Sequence, residues 1–172
     1  MAVLVKEVMI KDIVTINEKA TIGDAVEMFA EKKIGCLPVV DDNGNLVAFL
    51  SDGDIVYYVA GNLRLMQTQS KAYAGRLFPD PKCTNYFTLL LKNCVDHNVL
   101  EAATHHVVTV DAYQSVRRAA ELMQKKHLKQ APVLEEGKLV GLITRNDIIH
   151  GLFNDYLANP DAPCIEGADD DF

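Results

Sequence analysis

Two short patterns carry the chemistry on offer in this chain: Ser51-Asp52-Gly53-Asp54 and Thr144-Arg145-Asn146-Asp147. Each sets a hydroxyl three residues ahead of a carboxylate. An ionised Asp accepts hydrogen bonds only, and it can take both hydroxyls of a ribose at once. A hydroxyl just before a helix N-terminus can donate to phosphate, where exposed N–H groups add positive potential. Ser/Thr-x-x-Asp is therefore a sensible ribose-phosphate clamp. The bland alternative is helix capping, with Ser51 or Thr144 as the cap and Asp54 or Asp147 solvated on the first turn.

Other chemistries find little support. The chain has neither a G-x-x-x-x-G-K-[ST] phosphate loop nor a G-x-G-x-x-G turn, and Phe49-Leu50-Ser51-Asp52-Gly53 misses a nucleophile elbow at its first glycine. No catalytic residue is assigned, and the protein is not expected to be an enzyme. Cys83, Cys94, His97, His105 and His106 share one stretch, but none of their spacings is a zinc signature. The adjacent histidines would point to opposite faces of a strand. No metal is expected, and Cys94 reads as part of an apolar stripe. Cys36, Cys83, Cys94 and Cys164 form no C-x-x-C pair and are expected to be free thiols.

The totals narrow the class further. The 172 residues are 49% hydrophobic, enough for a real core in one or two small domains. A net charge of −7 argues against a nucleic-acid or anionic-membrane surface, so any anionic ligand must be met by a local device. No apolar run approaches the ~18–20 residues of a membrane span. The first residues, Met1-Ala2-Val3-Leu4-Val5-Lys6-Glu7, show no secretory pattern. A cytoplasmic protein is expected.

The elements that must position the two patterns come from an internal repeat. Residues 13–59 recur with variations at 107–152. Val14-Thr15-Ile16 returns as Val108-Thr109-Val110, and Leu37-Pro38-Val39-Val40 as Ala131-Pro132-Val133-Leu134. In the first copy, Ile13-Val14-Thr15-Ile16 predicts a β-branched strand. Thr21 with Asp24 resembles a weak capping box ahead of the stripe Ile22, Ala25, Val26 and Phe29. A second strand over 36–40, a turn at Asp41-Asp42-Asn43-Gly44-Asn45 and a third strand over 46–50 lead into a helix after Ser51. The second copy repeats this order: strand 107–110, cap Ser115, stripe Val116/Ala119/Ala120/Met123, a hairpin turning at Glu135-Glu136-Gly137, and closing helix 146–152. Pro38 and Pro132 are expected at a strand start or a sheet edge.

About forty residues between the copies belong to neither. The closing helix of the first copy is expected to run on through Leu63 and Met66. Phe87, Leu90, Leu91, Cys94 and Val95 predict another amphipathic helix. So much apolar surface is expected to form an assembly or docking element and not a flexible linker, with extra core as the alternative. The tail from Asn159 ends in Asp169-Asp170-Asp171-Phe172 and is expected to be disordered.

A doubled β-α-β-β-α unit with a Pro-initiated strand and a closing Gly-x-x-Ser/Thr-x-x-Asp resembles the CBS-domain family. Gly141/Thr144/Asp147 match that motif fully, whereas the first copy has Ala48 for the glycine. The resemblance implies an α/β (α+β) fold: two tandem CBS domains, 1–60 and 101–154, packed as a pseudo-two-fold pair. A helical insertion over 61–100 would separate them, and an acidic tail over 155–172 would follow. It implies adenosine ligands, such as AMP, ADP, ATP or S-adenosylmethionine, in clefts between domains, with no other cofactor required. Pairs of the family commonly dimerise, so a homodimer is expected. A regulatory, energy-sensing role toward a separate partner protein follows, with a structural dimerisation module or an S-adenosylmethionine or NADH binder as the alternatives.

The family also implies particular site residues. The adenine edge would be read by backbone groups at Ile13-Val14 in one copy and Val107-Val108 in the other, with Asp12 and His106 just before them. Leu37, Ala131 and Pro132 are expected among the nucleotide-binding residues as well. Lys129 falls where a phosphate-binding cation is common, and Arg145 and Asn146 could also face phosphate. Gly35 offers no charge at the first copy's equivalent of Lys129, and Asp52 would repel phosphate. The Thr144/Asp147 cleft is thus the better expected nucleotide site, and that of Ser51 and Asp54 is expected to be empty or degenerate.

Overall fold

The computed structural model describes residues 3–69, 92 and 94–158. In chain order the elements are α1 (Val5–Val8), β1 (Ile16–Asn17), α2 (Ile22–Lys32), β2 (Cys36–Val40), β3 (Leu46–Ser51) and α3 (Asp52–Gln69). A 3-10 turn over Val99–Glu101 precedes β4 (Val110–Asp111), α4 (Val116–Lys125), β5 (Gln130–Glu135), β6 (Lys138–Thr144) and α5 (Arg145–Ala158). Each repeat forms a three-stranded sheet in the order β1-β2-β3 or β4-β5-β6, its first pair parallel and its second antiparallel. The mixed fold is that of the sequence expectation.

The local reasons are visible. Thr21 caps α2, with its Oγ1 accepting the Asp24 N–H at 3.2 Å while Asp24 takes the Thr21 N–H at 2.8 Å. The apolar stripe of α2 then lies on β2 and β3, and Ile22, Ala25, Leu37, Val39, Ala48 and Leu50 are fully buried in one core. The second repeat builds its core from Val110, Val116, Ala119, Ala131, Val133 and Ile143. Lys33 and His127 terminate α2 and α4 in left-handed conformations, at φ 53° and 54°. The Glu136-Gly137 turn has positive φ at both residues, the twist a tight hairpin needs.

The strands β1 and β4 are shorter than the β-branched runs suggest. Both parallel ladders begin one residue past the proline, with Ile16 opposite Val39 and Val110 opposite Val133. Against the expectation of a strand start or sheet edge, Pro38 and Pro132 lie buried inside the central strands β2 and β5. Their partners Phe49 and Leu142 direct their own backbone groups away, to Thr104 and Ile10. The missing proline N–H therefore points toward β1 or β4, where no ladder has yet begun.

Two compact units result: Met1–Ile13 with Thr109–Phe172, and Val14–Val108. They cut across the repeats, because each repeat is completed by the lead-in of the other. Before the first repeat, Leu4 bridges Ser115 and Ile10 bridges Leu142; before the second, Asn98 bridges Thr21 and Thr104 bridges Phe49. Lead-in carbonyls also satisfy helix N-termini: Val3 accepts the Val116 N–H at 2.9 Å, and His97 accepts that of Ile22 at 2.8 Å.

These lead-ins explain the motif glycine. A Cβ on Gly141 would sit 2.7 Å from Met9 Sδ and 2.8 Å from the Ile10 carbonyl oxygen. At the matching place in the other unit Ala48 stands opposite a lead-in that carries Ala103 where the first carries Met9, and both alanines are buried in the same core. The Gly-for-Ala difference between the copies is a packing exchange. The helix expected over 87–95 falls mostly outside the described residues, as does the tail from Asn159. Cys94 is described and lies buried in the first core.

Candidate functional site

Both hydroxyl–carboxylate patterns sit where a strand runs into a helix with no intervening loop. Thr144 is the last residue of β6 and Arg145 the first of α5; Ser51 and Asp52 stand likewise between β3 and α3. Asp147 Oδ2 accepts the Thr144 N–H at 2.8 Å and its hydroxyl at 2.7 Å, while Thr144 Oγ1 accepts the Asp147 N–H at 3.3 Å. In the other unit the corresponding distances are 2.8, 2.6 and 3.2 Å for Ser51 and Asp54. The two clamps are alike in shape to within a tenth of an ångström.

Thr21 and Asp24 make the same set of bonds at the start of α2, so the geometry by itself is that of a capping box. Two consequences follow for a ligand. The single proton of the Thr144 hydroxyl is already on Asp147, and a phosphate would have to compete for it. Oδ1 of Asp147 and of Asp54 takes no hydrogen bond among the described residues, which leaves one acceptor oxygen per clamp, with two lone pairs, for a diol.

The flanking charges differ. The Arg145 N–H donates to the Lys129 carbonyl at 3.1 Å, which sets two exposed cationic residues side by side, and Arg145 Nε is anchored on the Leu128 carbonyl at 2.8 Å. In the other unit the Asp52 N–H donates to the Gly35 carbonyl, also at 3.1 Å. There the corner holds one carboxylate. Burial first, and the Asp52 charge second, push the neighbouring Cys36 thiol up to about 11.

The expected site residues divide between the units. Asp12, Ile13, Lys129, Ala131, Pro132, Thr144, Arg145, Asn146 and Asp147 belong to one; Val14, Leu37, Ser51, Asp54, His106, Val107 and Val108 belong to the other. Leu37, Ala131 and Pro132 are buried, so a ligand could meet them only at their edges. Asn146 is exposed on the first turn of α5. A groove of about 370 Å³ between α4 and α5, lined by Met123, His127, Arg145 and Ile148, touches the cationic corner only through Arg145.

Sequence reasoning missed a second polar cluster. Tyr58 on α3 donates to Glu101 Oε2 at 2.6 Å, and His97 Nδ1 lies 2.7 Å from the same phenol oxygen. That hydrogen bond holds the Glu101 carboxyl below its usual range. In the other unit the matching position on α5 is Gly151, against which Val8 and Val116 close. The available signal was the lead-in itself, since Val5-Lys6-Glu7 and Val99-Leu100-Glu101 extend the repeat upstream. Among the described residues no group of His, Cys, Asp and Glu could hold a metal ion, and no helix is long and apolar enough to cross a membrane.

Comparison with known proteins converges. The family model for the CBS domain matches residues 5–61 and 99–154. A CBS domain-containing protein of Dictyostelium discoideum is 32% identical over 150 residues, covering 87% of this chain and 90% of that one. A crystal structure of CBSX2 in complex with AMP has a TM-score of 0.64 at 24% identity and covers 89% of this chain and 98% of its own. The CBS domain pair of protein MJ0100, solved with 5′-methylthioadenosine and S-adenosyl-L-methionine, has a TM-score of 0.65 at 23% identity and covers 90% and 98%. At those identities the two solved structures show a common fold.

Proposed function

This chain belongs to the CBS-domain family and carries a pair of such domains, and on that premise we propose that it is a regulatory module that binds an adenosine phosphate and does not turn it over. The observation that carries the reading is the Thr144/Asp147 pair, whose Asp147 Oδ1 takes no hydrogen bond among the described residues, at a strand end that also carries the paired residues Lys129 and Arg145. Ribose hydroxyls would bond Oδ1, and phosphate would lie toward the two cations. The AMP bound by CBSX2, and the adenosine ligands of MJ0100, make this ligand class the natural one to test. Binding would be passed to a separate regulated protein as a signal of nucleotide level in the cytoplasm, where buried free thiols such as Cys36 and Cys94 stay reduced.

A second reading is a structural dimerisation module. It is favoured by the closed caps, and by an apolar row on α5 in which Ile149, Phe153 and Tyr156 are 64%, 56% and 62% exposed. We infer that this row joins two copies whichever reading holds. Thermal shift and calorimetry with AMP separate the two. At ~100 times its Kd a ligand stabilises by about 2.7 kcal/mol, and a flat response with no heat selects the structural module. Product appearing from AMP, ADP or ATP over hours with Mg²⁺ would overturn the absence of turnover.

A further inference from the structure

We propose that the two clamps take adenosine ligands of opposite 5′ character: Thr144/Asp147 an adenosine phosphate, and Ser51/Asp54 an adenosine whose 5′ substituent is uncharged or cationic. The inference rests on the reading of both patterns as ribose clamps, and it replaces an empty first site with a differently selective one.

The ribose end is common to both. The hydroxyl, amide and carboxylate of each clamp are arranged alike, and each leaves Oδ1 open. A ribose diol that fits one carboxylate therefore fits the other. The corners beyond that point differ in sign. Lys129 and Arg145 are both exposed and tied together by the 3.1 Å backbone bond. In the first unit the same bond joins Gly35 and Asp52, and Asp52 Oδ2 lies only 3.6 Å from where a side chain at residue 35 would begin. Its other oxygen accepts the Gly53 N–H at 2.7 Å, so the carboxylate is anchored there.

No described cation is paired with Asp52. Lys32 and Lys33 close α2 nearby, but Lys126 and His127 stand at the matching end of α4, so they do not distinguish the units. The Cys36 thiol is raised by burial first and by the Asp52 charge second. A phosphate in this corner would meet a fixed carboxylate, whereas a thioether would be tolerated and a sulfonium attracted.

Calorimetry on the full chain tests this with AMP, 5′-methylthioadenosine and S-adenosylmethionine as probes. Wild type is expected to bind one AMP per chain. Asp147→Ala should weaken AMP by roughly ten-fold or more and leave the two sulfur ligands unchanged; Asp54→Ala should do the reverse. Asp52→Arg, an exposed change that spares the cap, should weaken S-adenosylmethionine and open a second AMP site. If Asp147→Ala leaves AMP binding intact, the clamp reading itself falls. If AMP depends on Asp147 but the sulfur ligands fail to bind, or ignore both Asp54→Ala and Asp52→Arg, that reading survives and the charge inference is overturned. Two AMP per wild-type chain would overturn it as well.

Discussion

At Gly141 an added methyl group would need space held by the Met9 sulfur and the Ile10 backbone. Gly141→Ala should therefore destabilise by about 1–3 kcal/mol, the usual range for overpacking, as read from the urea midpoint. Adding Met9→Ala should recover part of the loss, reproducing the Ala48/Ala103 pairing of the other unit; a double-mutant cycle with no coupling would show that the backbone contact alone decides. Acid stability follows from single carboxylates too. Asp24 is held below the usual range by hydrogen bonds from Thr21, and Glu101 by the one from Tyr58. A lowered folded value means stability that is complete above the ordinary carboxylate range and lost as pH falls through the lowered values. Tyr58→Phe should flatten the part of that acid limb due to Glu101. The buried Cys36 works on the opposite side: raised to about 11, its thiol contributes stability that is full below its ordinary value of 9.0 and lost as pH rises from there to about 11. Alkaline melts of Cys36→Ala should decline less over that window than wild type.

Elements bring in what single residues do not reveal. The sequence made β2, β3, β5 and β6 legible because their breakers and apolar runs are local, and Thr21/Asp24 announced α2 through spacing alone. Strands β1 and β4 were overread because propensity describes a side chain while a ladder needs a partner, and Pro38 and Pro132 have no N–H to extend it. The lead-ins were not read as sheet elements at all: Leu4 and Ile10 pair with residues more than a hundred positions away, which no local window contains. The Ser51/Asp54 and Thr144/Asp147 pairs are legible from spacing, but the hydrogen bond that commits the Thr144 hydroxyl to Asp147 depends on rotamers that spacing does not set. Removing residues 3–10 should therefore loosen β6 and α4, which they complete, before β2 and β3. Hydrogen exchange mapped along the chain would detect this, and equal loss of protection in both repeats would refute it. On α5, Phe153→Asp should convert a homodimer into a folded monomer by light scattering, since Phe153 is already exposed within one chain.

For the molecule as a whole, neither half of the sequence owns its fold. The chain carries the material completing the second repeat at its beginning, and that completing the first repeat after α3. Cutting the chain between residues 70 and 91 should leave two fragments that remain associated by gel filtration and that fail to fold when produced apart. Two fragments that each fold alone would contradict the exchange. A lone ancestral repeat with its lead-in could not have satisfied itself and a neighbour through one continuous chain; it would have lent its first residues to a second, identical molecule and borrowed that molecule's in return. Duplication and fusion of such a gene would turn a reciprocal loan between two polypeptides into an internal one, leaving the traded segments in place. On that descent, the Gly141/Met9 and Ala48/Ala103 pairs are places where the two lead-ins have since diverged.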